Sequence, residues 1–88
     1  MEIILKNASM SKDAETGYVG KVQIEVKSHK ELYEITLHSK RGKEWGYALN
    51  FLNRPGPDEE IDQLDEYLDE NDEAFEQIVL AARSAISD

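Results

Sequence analysis

The 88-residue chain contains no cysteine, only two prolines and a single tryptophan. Without cysteine there is no disulfide framework and no thiolate metal site, and the expected compartment is the reducing cytoplasm. No apolar run approaches the length of a membrane span. The opening stretch MEIILKNASM carries an acid at Glu2 and too short an apolar run to read as a secretory leader. Basic residues are also scarce: ten Lys and Arg stand against nineteen Asp and Glu, a net charge of −9. A field of that sign repels polyanions and works against nucleic-acid binding.

What is present is the composition of an ordinary soluble domain, 40% hydrophobic and 33% charged, rather than of a disordered chain. One domain over residues 1–88 is expected, burying roughly 60–70% of the surface its unfolded chain exposes. The charge is unevenly placed. Residues 1–56 hold nine basic and seven acidic side chains, and residues 57–88 hold one arginine and twelve acids. The first segment is therefore +2 and the second −11.

Periodicity divides the chain at the same point. Residues 2–8 read as a strand, with isoleucine on both faces at Ile3 and Ile4. Residues 9–17, SMSKDAETG, read as a polar loop. Residues 18–28 alternate cleanly, with Val22, Ile24 and Val26 on one side and Lys21, Gln23, Glu25 and Lys27 on the other. Gly20 falls in line with the inward set and marks a bulge or a close approach. Residues 31–38 place Tyr33, Ile35 and Leu37 on one face, and residues 44–52 do the same with Trp45, Tyr47, Leu49 and Phe51. Gly42, in the turn between these strands, is expected at positive φ. The segment NRPGP at 53–57 cannot continue a ladder and serves as a linker.

Beyond it the period changes from two to 3.6. Ile61, Leu64 and Leu68 form the stripe of a helix over 58–70, and Phe75, Ile78, Val79, Ala82 and Ile86 that of a second over 72–86. Asn71 is expected to end the first in a left-handed conformation, and Asp72 to cap the second through its carboxylate. The fold class is α+β: a four-stranded antiparallel sheet over 1–52, then two C-terminal helices on one face, a two-layer sandwich.

Motifs of chemistry are thin. The run DENDEAFEQIVL at 69–80 has EF-hand oxygens at Asp69, Asn71 and Glu73, but Ala74 stands at the glycine position and Leu80 at the chelating glutamate. His29 and His38 have no third ligand at a regular spacing, so no zinc site is expected. The helix carboxylates lie on a charged, wet face rather than in the desolvated setting that general acid–base work needs. No metal, no cofactor and no catalytic set is assigned, and the chain is read as non-enzymatic.

Two surfaces are left as candidate sites. Asp58, Glu59, Asp62, Asp65, Glu66, Asp69 and Glu70 fall outside the apolar stripe of the first helix and form an acidic ridge. Like charges at i, i+3 and i+4 each cost a helix a few tenths of a kcal/mol, so their concentration in one element favours docking of a basic protein partner over solubility alone. The alternative is a single-stranded nucleic-acid site on the polar sheet face, from Lys21, Gln23, Lys27, Thr36 and His38. That face lacks the aromatic platforms such sites use. A homodimer joined through the small residues Gly46 and Ala48, near Leu32 and Ile4, is the third reading. The function expected is that of a small acidic protein-binding or regulatory module.

Overall fold

The computed structural model describes residues 1–86; Ser87, placed by the periodicity on the outer surface of the second helix, lies outside the described residues. The elements are β1 (Ile3–Asp13), β2 (Gly17–Val26), β3 (Tyr33–Ser39), β4 (Gly46–Phe51), α1 (Asp58–Glu70) and α2 (Asp72–Arg83). The strands form one antiparallel meander in the order β1-β2-β3-β4. Both helices contact this sheet, α1 along β4 and α2 across β1 and β2.

The alternation along β2 and β3 builds the core. Val22, Ile24, Val26, Tyr33, Ile35 and Leu37 are all fully buried. Leu64 and Leu68 of α1 and Ile78, Val79 and Ala82 of α2 close over them. Trp45, Tyr47, Leu49 and Phe51 lie on the same sheet face but are only half-buried, because β4 is an edge strand. Phe75 is half-buried as well, its ring 5.3 Å from that of Tyr47. Each fully buried large side chain stabilises by about 1.5–3 kcal/mol, so the two central strands carry most of the driving force.

The first strand differs from its sequence reading. It runs on through the serines to Asp13, and only residues 14–16 turn before β2. A register shift between Leu5 and Asn7 explains why the alternation was masked. Before the shift Ile3 and Leu5 pair with Val26 and Ile24; after it Ala8 and Met10 pair with Val22 and Gly20. Odd positions face the helices first and even positions afterwards, as one extra residue in a bulge requires. Ile4, opposite Glu25, therefore lies on the outer face.

Gly20 is a close approach rather than a bulge: a Cβ there would stand 2.8 Å from the Met10 methyl and 3.5 Å from Ala82 Cβ. Gly42 has the positive φ expected of it, 77°.

The junction of the helices is a correction. Asn71 has φ −117° and ψ 88°, not a left-handed conformation, and it rather than Asp72 precedes α2, with no side-chain cap. Its side-chain amide donates back to the Tyr67 carbonyl at 3.1 Å, and its own carbonyl accepts from Phe75 N–H. One extended residue thus reorients the chain while its hydrogen bonds serve both helices. The second helix also ends earlier than the periodicity suggests, at Arg83, and Ile86 instead forms an isolated bridge with Met10.

Leu64→Ala, at a fully buried position, is expected to cost about 2–5 kcal/mol, and Phe75→Ala less than the about 3–5 kcal/mol of a buried phenylalanine. Urea denaturation of the two variants checks both expectations; a loss at Phe75 as large as that of a fully buried phenylalanine would contradict the second.

Candidate functional site

All seven acids of the ridge are exposed. Helical geometry places them on one continuous arc of α1, starting beside Ile61 and running around to the outer side. None of the seven has an ion-pair partner among the described residues, and six of them, Asp58, Glu59, Asp62, Glu66, Asp69 and Glu70, accept no side-chain hydrogen bond there either. The three ion pairs found there, Lys6–Glu25, Lys27–Glu2 and Arg54–Glu31, all lie outside the helices. The sheet half thus neutralises part of its own charge, and the helical half does not.

Asp65 departs from the outward orientation. Its carboxylate accepts a hydrogen bond from Tyr47 Oη at 2.5 Å, so it turns toward β4. The Tyr47 phenol is pushed up to about 12, first by burial, then by this hydrogen bond and by the negative charges of Asp65 and Asp69. The inner margin of the acidic arc therefore lies along β4. A cleft of about 440 Å³ opens there, lined by Tyr47, Leu49, Ile61, Asp62 and Asp65.

The opposite flank of α1 is tied to the β2–β3 connection. Glu60 accepts from Lys30 N–H at 2.9 Å. His29 Nε2 lies 3.3 Å from Gln63 Oε1, and His29 Nδ1 lies 2.8 Å from Tyr33 Oη. With Gln63 Oε1 accepting, the ring donates through Nε2, and in that neutral tautomer Nδ1 accepts a hydrogen bond from the Tyr33 hydroxyl. His29 is thus a bridge between sheet and helix. The Tyr33 phenol is also pushed up to about 12, by burial and then by Glu60.

The polar sheet face is an open grid set by the strand register. One row is Asn7, Gln23, Glu34 and Asn50; the next is Ser9, Lys21, Thr36 and Ala48; the third is Ser11, Val19, His38 and Gly46. Lys21, Gln23, Thr36 and His38 are brought together, but Lys27 lies beyond the end of β2 and pairs with Glu2 at 3.0 Å. Lys6 is paired with Glu25 at 3.1 Å. The aromatic rings of Tyr18, Tyr33, Trp45, Tyr47 and Phe51 all pack on the core side. The small-residue strip is broken as well: the His38 imidazole lies over Gly46, and Ile4 sits on the far edge strand.

One feature had no clear signal in the sequence. A second cleft of about 440 Å³ lies between α2 and the start of β4, lined by Gly42, Lys43, Trp45, Asp72, Phe75, Glu76, Val79, Leu80 and Arg83. Leu80, 52% exposed, stands at its rim. Among the described residues no three His, Asp or Glu side chains are grouped to hold a metal ion, and no helix is long and apolar enough to cross a membrane.

The raised phenols hold their protons more tightly when folded than when unfolded, where the value is 10.0. Their contribution to stability is complete below about pH 10 and is lost as the pH climbs through about 12. Asp65→Asn is expected to bring the Tyr47 titration down toward 10 and leave Tyr33 unchanged, as followed by tyrosine-resolved NMR. No protein-family model, no curated protein and no solved structure matches the chain.

Proposed function

We propose that the protein is a non-enzymatic binding module that holds a basic protein partner against the acidic face of α1. The observation that carries this reading is the arc of seven acids without an ion pair among the described residues, on a helix whose other face is anchored in the core. Repulsion among them costs helix stability, and a cationic partner relieves it. Such a surface acts chiefly on encounter: complementary charge steers a partner in and raises its association rate in a salt-dependent way. The polar sheet face supports the nucleic-acid alternative less well, since its lysines are interspersed with Glu25 and Glu34 and it presents no tyrosine, tryptophan or phenylalanine ring for stacking.

Replacing Asp58, Glu59, Asp62 and Glu66 by their amides is expected to keep the fold and stabilise α1 slightly. It is expected to slow association with partners recovered from cell extract by about tenfold or more at low ionic strength, an effect that salt removes. Equal association rates for the two proteins at low salt would reduce the ridge to a solubility device.

A further inference from the structure

The sheet has two free edges, and they are not equivalent. β1 is guarded: its register is broken by the bulge between Leu5 and Asn7, and it carries Lys6 and Lys12. Bulges and lysines are the usual means of discouraging strand addition. β4, GYALNF, has no charge and no proline, and its register against β3 is unbroken from Gly46 to Phe51.

The direction of its free groups follows from one bond. Leu52 N–H donates to the Leu32 carbonyl at 2.9 Å, which makes 52 and 32 a hydrogen-bonded pair. In an antiparallel ladder such pairs alternate, so Asn50, Ala48 and Gly46 bond inward to β3. Tyr47, Leu49 and Phe51 then turn their N–H and C=O groups outward, where no strand pairs with them. The cleft lined by Tyr47 and Leu49 opens beside this edge, and the other lies at the turn before the strand, where Lys43 and Arg83 share it with Asp72 and Glu76. The first offers Leu49 and Ile61 as an apolar ledge under Asp62 and Asp65, and the second offers Trp45, Phe75 and Leu80.

We infer that β4 is a docking edge, and that its occupant is an extended segment of a partner with lysine or arginine at alternate positions, added as a fifth strand. The inference rests on the basic-partner reading above and deepens it. An added strand forms main-chain bonds with Tyr47, Leu49 and Phe51 and sends every second side chain toward the helices. On that side the first cleft combines apolar walls with carboxylates. It suits a long basic side chain that lays its methylenes on Leu49 and Ile61 and its charged end at Asp62. A second copy of this chain is a poorer occupant, because β4–β4 pairing brings two acidic α1 flanks together.

The probe is a short blocked peptide alternating lysine and valine, compared with a counterpart methylated at every backbone nitrogen. Both carry the same charge. The unmethylated peptide is expected to bind at low ionic strength, to slow hydrogen exchange at the Tyr47, Leu49 and Phe51 amides, and to bind at least about tenfold more tightly than the methylated one. Leu49→Pro removes one outward N–H and leaves the inward bonds of Ala48 and Asn50 in place. Because it also takes away the Leu49 wall of the first cleft, it is expected to weaken both peptides, and the unmethylated one by the larger factor. Equal binding of both peptides with unchanged amide exchange would overturn strand addition while leaving the acidic-face reading standing. Binding of neither peptide would overturn strand addition too, and the acidic-face reading would then be decided by the partner-recovery measurement, which uses no peptide.

Discussion

The structure depends on the burial of one aliphatic surface, the inner face of β2 and β3, beneath two short helices. Neither layer is stable alone. A helix of 12 or 13 residues is marginal in water, and a meander with a bare apolar face is an aggregation hazard. Placed together they bury Ile24, Ile35 and Leu37 against Leu64, Ile78 and Ala82. Everything at the periphery, from the half-exposed aromatics of β4 to the acids of α1, is positioned by this central contact.

How much of this was readable from residues depended on how local the signal was. The period-two runs of β2, β3 and β4 and the stripes of α1 and α2 report burial directly, and their faces are as the alternation implies. The first strand was partly hidden because a bulge inverts the phase at Lys6 and because serines on an open face look like a loop. The Asn71 junction was misread because a left-handed residue is only one of several ways to turn a chain at a single position. The ridge was legible as composition. Its attachment to β4 was not, since Tyr47 and Asp65 are brought together only when α1 docks. The cleft around Leu80 also depends on a tertiary juxtaposition, that of α2 with the turn preceding β4.

The two halves of the molecule handle charge differently. Three ion pairs, and a polar grid in which Lys21 and Glu34 stand in adjacent rows among uncharged side chains, leave the sheet half close to neutral. The helical half keeps its acids apart from any counter-charge, and the few polar groups it offers to the sheet serve as fasteners: Glu60 to Lys30, Gln63 to His29 and Asp65 to Tyr47. These three bonds fix α1 on both flanks. The helix backbone that carries the remaining carboxylates is thereby held in place on the sheet.

The bridge between Met10 and Ile86, together with Ala82 above Gly20, joins the earliest strand to the segment just beyond the last helix. On a ribosome the four strands emerge before either helix. The hairpins can pair as they appear, but their inner face stays wet until α2 has been synthesised. The contacts that close the inner face at this end, Met10 with Ile86 and Gly20 with Ala82, thus span more than sixty residues of sequence. Vectorial synthesis offers the sheet alone no stable halfway product: its inner face is covered only once Ile78, Val79 and Ala82 of α2 are free to pack on it.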